Sequence, residues 1–120
     1  MIIVDTSVWA DFFRGNMPEL SGVLAGMKAL QHPFVTGELL LGNPADRQAL
    51  KRDLEGLAQA RVSDHDTAMQ FAFDRNLGGT GIGYVDLHLL ASAASADAML
   101  WTRDKRLLAQ AGRLGLAYKP

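Results

Sequence analysis

Short apolar segments alternate with helix-like segments along this chain, and this alternation restricts the fold more than any other feature of the sequence. Residues 1–4 are apolar and mostly β-branched, and residues 98–102 form a similar run, so both are typical of buried parallel strands. Residues 85–95 are almost wholly apolar over a helical length. Strands that alternate with helices predict an α/β fold, a three-layer α/β/α sandwich around a short, mainly parallel sheet.

The positions of the individual elements follow from the same pattern. It predicts strands at residues 1–4, 34–35, 61–62, 98–102 and 116–118. It predicts helices at residues 7–14, 19–30, 37–42, 45–59, 64–77, 85–95 and 104–112. The glycine-rich residues 78–83 indicate an irregular loop. A chain of 120 residues without a linker, repeat or low-complexity segment is expected to form one domain, residues 1–120.

Composition excludes several classes of protein. Cysteine is absent, so the chain forms neither disulfide bonds nor thiolate metal sites. No apolar stretch reaches the roughly 18 residues that a membrane span requires. The first residues also lack the basic start of a signal peptide. We therefore expect a cytoplasmic protein that does not enter a membrane.

The charge of the chain gives only local support for contact with nucleic acid. The formal net charge is −1, whereas nucleic-acid-binding proteins usually present a basic surface. Four basic residues nevertheless lie close in sequence to Asp5 or Asp104: Arg14, Arg103, Lys105 and Arg106. They are candidates for contact with a phosphate backbone, and ordinary surface charge explains them equally well.

Four carboxylates lie where an open α/β sheet gathers its ligand site. Asp5 and Asp104 each follow an apolar predicted strand. Glu38 follows a very short predicted strand and opens a helix, and Asp86 begins the long apolar helix. Strand carboxyl ends and helix amino ends share one edge of such a sheet, and ligands bind along that edge. We therefore expect the four carboxylates to share one pocket.

Carboxylates that share a pocket repel one another unless a cation neutralises them. Oxygen ligands favour hard divalent ions such as Mg²⁺ or Mn²⁺. The pattern therefore indicates a metal-dependent phosphoryl-transfer site, most simply that of a nuclease. Taken singly, Asp86 and Asp104 are well explained as acids that stabilise helix amino termini, but capping does not explain four acids at one edge. Without metal, we expect their repulsion to lower the stability of the fold as the pH rises.

Other phosphate-handling and hydrolytic patterns are missing. Ser7 stands where haloacid-dehalogenase phosphatases carry a second aspartate, and no phosphate-binding loop ending in Gly-Lys-Ser or Gly-Lys-Thr is present. The acidic pair of response-regulator receivers is also missing. No Ser-His-Asp arrangement is indicated, because we expect His32 and His65 at the surface and a structural or merely exposed His88.

Four segments of the chain carry a resemblance to a known family. They are residues 2–9 (Ile-Ile-Val-Asp-Thr-Ser-Val-Trp), 37–40 (Gly-Glu-Leu-Leu), 81–91 (Gly-Ile-Gly-Tyr-Val-Asp-Leu-His-Leu-Leu-Ala) and 100–107 (Leu-Trp-Thr-Arg-Asp-Lys-Arg-Leu). In this order, and over nearly the whole chain, they resemble the PIN-domain ribonucleases of the VapC toxin type. The resemblance implies four catalytic acids: Asp5, Glu38, Asp86 and Asp104. It further implies that Asp5, Asp86 and Asp104 bind Mg²⁺ or Mn²⁺, and that Ser7 and Thr102 support the metal site.

The resemblance also implies an activity and partners. The activity is endoribonucleolytic cleavage of RNA by metal-activated water, which leaves a 5′-phosphate and a 3′-hydroxyl. The partner is a VapB-type antitoxin whose carboxy-terminal segment inserts near the active site, and we also expect a homodimer. One position departs from the family, since some relatives carry a further acid shortly after the fourth, whereas Leu107 and Leu108 follow here. This departure argues against a complete second metal position.

The first helix has a wide apolar face that indicates a partner surface. Its large apolar side chains span roughly 140° of arc, whereas one packed face needs only about 100° or somewhat more. Trp9 and Phe13 are therefore candidates for contact with the antitoxin or with a second copy of the chain. A helix buried between two neighbouring elements explains the same pattern.

Two other functions remain open at the level of the sequence. A PIN-like fold with an inactive site would serve only to bind protein or RNA, although the presence of all four acids weighs against this. The same acids would also suit another metal-dependent phosphoesterase or a DNA nuclease. Cleavage assays with RNA, single-stranded DNA and a small phosphate ester, with and without divalent metal, separate these functions.

Overall fold

The centre of the protein is a sheet of very short strands. The computed structural model, which describes residues 1–120, contains four of them: β1 (Ile2–Val4), β2 (Ala29–Gln31), β3 (Ala58–Gln59) and β4 (Met99–Trp101). Ile3 in β1 and Leu100 in β4 are completely buried. β1 and β4 are apolar throughout, as is typical of parallel strands whose sheet is covered by helices on both faces.

The order of the strands produces the layered architecture. The strands pair in the order β3-β2-β1-β4, and every pair is parallel. Ala117 adds one further parallel bridge, to Leu100, beyond β4. The chain thus moves from β1 to β2 and β3, and then returns to the other side of β1 with β4. Because crossovers between parallel strands are almost always right-handed, connections in opposite directions place their helices on opposite faces. The predicted three-layer α/β/α fold with a mainly parallel sheet is confirmed.

Seven helices surround the sheet. They are α1 (Thr6–Phe13), α2 (Glu19–Ala25), α3 (Pro33–Leu40), α4 (Arg47–Glu55), α5 (His65–Asp74), α6 (Tyr84–Ser95) and α7 (Lys105–Arg113). The most deeply buried is α6, in which every residue from Leu87 to Ala93 is buried, and it packs against β1 and β4. Among the seven, none combines the length and the apolar character that crossing a membrane would need.

The second strand and the start of the third helix lie at positions that differ from those predicted from the sequence. Residues 34–35, predicted as a strand, lie inside α3, and β2 consists of residues at or beyond the end of a predicted helix. His32 explains the difference, because its Nδ1 accepts a hydrogen bond from the Phe34 N–H at 3.0 Å and so caps α3. Pro33 follows in the first helical position, where a missing N–H costs nothing. His32 is completely buried, so its expected surface position is wrong.

Two further boundaries differ from the prediction. β3 lies at Ala58–Gln59, a few residues before the predicted 61–62, and α4 ends at Glu55. The N–H of Ala60 donates to the carbonyl of Gln31 at 2.8 Å, which holds this segment against β2. Glu38 was expected to open a helix, but it lies in the second turn of α3.

Candidate active site

β1 and β4 are neighbours in the sheet, and the chain leaves their carboxyl ends in opposite directions. β1 leads into α1 and β4 leads into α7, and these connections run toward opposite faces of the sheet. In open α/β sheets the crevice at such a switch point is the usual ligand site. Asp5 lies at this point, where its N–H donates to the Trp101 carbonyl at 2.9 Å, and it is only 7% exposed.

Two hydroxyl groups hold the Asp5 carboxylate in place. Its Oδ2 accepts hydrogen bonds from Ser7 Oγ and Thr102 Oγ1, each at 2.7 Å. The same hydroxyl oxygens accept from the backbone: the Arg103 N–H donates to Ser7, and the Asp104 N–H donates to Thr102, each at 3.0 Å. The loop after β4 is thereby tied to α1, and a carboxylate that accepts two charge-assisted hydrogen bonds is held firmly.

Each of the four acids uses only one of its carboxylate oxygens within the protein. For Asp5 that oxygen is Oδ2. The other three each accept one hydrogen bond: Asp104 Oδ1 from the Leu107 N–H at 3.0 Å, Asp86 Oδ2 from the Gly83 N–H at 3.0 Å, and Glu38 Oε1 from Thr6 Oγ1 at 2.7 Å. The second oxygen of every carboxylate has no protein donor. The fold therefore orients the four acids and leaves one acceptor of each available.

Asp86 shows that the four carboxylates share one electrostatic environment. Burial raises the pKa of the Asp86 carboxyl, although the hydrogen bond from the Gly83 N–H lowers it. Three negative charges raise that pKa further, those of Asp5, Asp104 and Glu38. None of the four acids forms an ion pair with a lysine or arginine. Their repulsion is therefore not balanced by the protein, and a bound cation would relieve it.

The donor set fits a hard divalent cation. Mg²⁺ and Mn²⁺ prefer carboxylate oxygens, and the pocket offers no sulfur ligand. In their present positions no three acidic or histidine side chains are arranged to hold one ion. Glu38 and Asp104 are exposed at the surface, so their side chains have room to rotate toward the fixed carboxylate of Asp5. Metal ligation by Asp5, Asp86 and Asp104 stays a prediction.

Two arginines on one side of the crevice are held by a single carboxylate. Arg14 Nη1 lies 2.7 Å from Asp11 Oδ1, and Arg103 Nε lies 3.2 Å from Asp11 Oδ2. Asp11 follows Ser7 by one helical turn, so both face the loop that carries Arg103. The arginine side chains remain 65% and 54% exposed. Both arginines were predicted from the sequence, but Asp11 was not, although its spacing of one helical turn from Ser7 was an available signal.

The other two basic candidates lie at the start of α7. Arg106 crosses the glycine-rich loop that precedes α6: a β-carbon added at Gly81 would lie 2.8 Å from Arg106 Cδ. Gly81 also has a φ of 88°, so only glycine permits both this loop conformation and the contact with Arg106. Lys105 is exposed and forms no ion pair. A role for the four basic side chains in binding substrate stays a prediction.

The apolar face of α1 is divided between the core and the surface. Trp9 is 4% exposed and belongs to the hydrophobic core, so its side chain is not accessible to a partner, contrary to expectation. Phe13 is 52% exposed, and its ring packs on Trp9 at 5.6 Å between centroids. Phe13 also lines a groove of about 930 Å³ between α1, α3 and α4, which extends to Arg14 and Glu38.

A comparison with curated proteins finds close relatives. The chain is 42% identical over 118 residues to ribonuclease VapC32 of Mycobacterium tuberculosis, both in strain CDC 1551 / Oshkosh and in strain ATCC 25618 / H37Rv. This match covers 98% of the chain and 95% of the relative. No family model matches the chain.

Solved structures share the fold at lower identity. The crystal structure of PAE2754 from Pyrobaculum aerophilum matches with a TM-score of 0.61 at 21% identity, over 91% of this chain and 83% of that one. FitAcB from Neisseria gonorrhoeae gives 0.65 at 19% identity over 93% and 94%. FitAB bound to an IR36 DNA fragment gives 0.61 at 19% identity over 93% and 91%. These likenesses establish the fold, and the identity to VapC32 over nearly the whole of both chains establishes the family: the chain belongs to the VapC ribonucleases.

Proposed function

We propose that this protein is a metal-dependent endoribonuclease, the toxin of a toxin–antitoxin pair, and that residues 1–120 form its nuclease domain. The observation that carries the proposal is that four electrostatically coupled carboxylates, none of them ion-paired with a lysine or arginine, lie near the switch point of the sheet. The ribonuclease name of its relatives at 42% identity supports RNA as the substrate.

The cofactor in this proposal is Mg²⁺ or Mn²⁺, held by Asp5, Asp86 and Asp104. When bound, such an ion neutralises charge on phosphate oxygens and lowers the pKa of water from 15.7 toward about 7. Asp5 contributes a carboxylate that two hydroxyls have already oriented. Glu38 is exposed and has a free Oε2, so it is suited to accept a proton from the attacking water.

The basic side chains around the crevice would bind the RNA backbone. Guanidinium groups match phosphate geometry with paired N–H donors, and contacts with phosphate place a nucleic acid without reading its sequence. Asp11 holds Arg14 and Arg103 next to the loop that carries Thr102. Arg106 and Lys105 extend this basic rim along the start of α7. The rim explains how a chain with a net charge of −1 attracts RNA locally.

An antitoxin would occupy the groove between α1, α3 and α4. The groove exposes the ring of Phe13 and reaches Glu38, so a segment seated there would cover the mouth of the site. Arg14 also lines this groove, so in the same complex it would not be available to contact RNA. Inhibition would thus follow from occupation of a surface that the substrate also needs. The homodimer and the cytoplasmic location stay predictions.

The test is cleavage by the purified protein with defined metals. We expect structured RNA to be cut with Mg²⁺ or Mn²⁺ and not with chelator. Asp5→Asn and Asp86→Asn should each lower the rate by at least 100-fold, because asparagine keeps the shape of the side chain and removes the charge that binds metal. Asp74→Asn, at an exposed carboxylate on α5, is the matched control and should leave the rate unchanged.

Two results would contradict the proposal. Undiminished cleavage by Asp5→Asn at equal purity would place the active site elsewhere. Faster cleavage of single-stranded DNA than of RNA would assign the carboxylates to a different nuclease. Mapping the cut positions in total cellular RNA then identifies the natural substrate.

A further inference from the structure

A group of rings lies beside the four acids and takes no part in the chemistry proposed above. Phe34 lies in the first turn of α3, Tyr84 begins α6 and His65 begins α5. Helix amino ends share the edge of the sheet at which the strands end, so these rings and the acids lie along one edge. The link to the site is short, since Tyr84 precedes Asp86 by two residues and Phe34 precedes Glu38 by one helical turn.

The ring of Tyr84 is open to solvent but held on two sides. The residue is 48% exposed. Its hydroxyl lies 2.8 Å from His65 Nδ1, and the two ring centroids are 5.6 Å apart with an interplanar angle of 37°. The ring of His88 meets it edge-on, at 4.6 Å and 74°. A ring held in this way loses little conformational freedom when a ligand packs on it.

The support beneath Tyr84 reaches the core. His88 is 2% exposed, and its ring contacts that of Phe34 at 4.8 Å between centroids. Phe34 in turn contacts the buried ring of His32 at 5.1 Å. Neither ring nitrogen of His88 has a hydrogen-bond partner, which is costly for a buried polar group. His88 therefore supports the ring of Tyr84 by an aromatic contact, and not as part of a hydrogen-bond network.

We propose that Tyr84, braced by His65 and His88, is a stacking site for one unpaired base of the RNA substrate. Unpaired bases in RNA are commonly bound by stacking on aromatic side chains. The position suits this role, because the ring opens to solvent two residues from Asp86, and Arg106 lies against Gly81, three residues before Tyr84. This inference rests on the proposed ribonuclease function and adds a preference to it: the nucleotide at Tyr84 must be unpaired.

The surface offers a matched control for this site. Phe73 on α5 is 70% exposed, more than Tyr84, and forms no ring–ring contact. A general apolar attraction for RNA would involve Phe73 at least as much as Tyr84. A stacking site built beside the acids would involve Tyr84 alone.

The experiment uses a single-stranded RNA oligonucleotide that spans a mapped cleavage position. Binding is measured by fluorescence anisotropy in the inactive Asp5→Asn background, and cleavage is measured in the active protein. We expect Tyr84→Leu to weaken binding between about 5- and 150-fold, the range for loss of one stacked base. It should raise KM by a similar factor and leave kcat within a factor of two. Tyr84→Phe keeps the ring but loses the hydroxyl contact with His65, so it should weaken binding far less than Tyr84→Leu does. Phe73→Leu should bind like its parent.

The base itself is located by replacing each nucleotide in turn with an abasic one. One replacement near the cleavage position should weaken binding by the parent protein and have little further effect on Tyr84→Leu, whose stacking partner is already gone. A 2-aminopurine at that position should lose fluorescence when the parent protein binds, because stacking quenches it. This last measurement needs no variant of Tyr84 and therefore does not depend on how that variant folds.

The outcomes separate the two levels of the proposal. RNA cleavage with a flat abasic profile, or with unquenched 2-aminopurine at every position, would overturn the stacking site and leave the ribonuclease function standing. The same abasic profile in Tyr84→Leu and in its parent would also overturn it. A protein that neither binds nor cuts RNA would overturn both.

Discussion

At the scale of single residues, Asp86 combines a helix cap with an unfavourable charge, and two substitutions separate them. Asp86→Asn keeps an oxygen that can accept from the Gly83 N–H and removes the charge that burial and three acids oppose. Without metal it should be at least as stable as the wild type, because it removes a charge that the folded protein disfavours. Asp86→Ala also loses the cap and should be less stable than Asp86→Asn by about 0.5–2 kcal/mol. Urea unfolding at pH 7.5 with chelator measures both differences.

The sign of the pH dependence at Asp86 follows from its raised pKa. The folded protein holds this proton more tightly than the unfolded chain, so its contribution to stability falls as pH rises from about 3.8 through the higher folded value. Millimolar Mn²⁺ should stabilise the wild type by mass action and Asp86→Asn much less. If Asp86→Asn melts well below the wild type in chelator and gains as much from Mn²⁺, the charge of Asp86 stabilises the helix amino terminus and does not belong to a repelling metal site.

At the scale of an element, α1 has one aromatic residue in the core and one at the surface. Trp9→Ala should cost about 3–5 kcal/mol through the cavity that it leaves, because Trp9 is 4% exposed. Phe13→Ser should change the melting temperature little, since Phe13 is 52% exposed, and should weaken binding to the product of the adjacent gene. Thermal melts and pulldowns measure the two effects, and a Phe13→Ser variant that melts as low as Trp9→Ala would place both rings in the core.

Among the individual strands and helices, only some could be predicted from the sequence. β1 and β4 are apolar runs because helices pack over the faces of the sheet, and α6 is apolar because it is buried almost all round. β2 ends in Gln31, whose buried amide is satisfied by Thr36 Oγ1 at 2.9 Å, and both residues of β3 are exposed. Strands of two or three residues with polar members carry no readable period.

The residues of the candidate site also differ in whether the sequence could predict them. Asp5, Asp86 and Asp104 could be placed because each lies next to a strong strand or helix signal. Glu38 reaches the site from the second turn of α3, a position that depends on the buried cap at His32. Asp11 and Tyr84 matter through contacts with Arg103 and His65, which are distant in sequence, and only the spacing of Asp11 from Ser7 gave a local signal.

At the scale of the whole molecule, His32 makes stability depend on pH. Burial lowers the pKa of His32 from 6.5 to about 4, and the charge of His88 contributes to the lowering. Above pH 6.5 the histidine is neutral in both states. As the pH falls from 6.5 to about 4, the unfolded chain takes up a proton that the folded protein does not, so stability declines. At about 1.4 kcal/mol for each pKa unit, the loss is on the order of 2–3 kcal/mol.

His32→Asn isolates this contribution. Asparagine is a good helix cap through its side-chain oxygen and does not titrate. Urea midpoints at pH 7.5, 5.5 and 4.5 should therefore decline less steeply in His32→Asn than in the wild type. His88 shifts in the same direction, and Asp86 in the opposite one, in both proteins. Parallel declines would show that His32 does not control the response.

The two hydroxyls that orient Asp5 have a consequence for the protein while it is being synthesised. Ser7 is made almost at once, but Thr102 lies 97 positions after Asp5, and β4 arrives with it. Synthesis proceeds from the amino end, so a chain still on the ribosome already carries Asp5, Glu38 and Asp86 while its central strand lacks one neighbour. With the proposed activity, we expect the nascent chain to stay inactive until Thr102 and Asp104 have emerged. We therefore expect the antitoxin to be required only from that point.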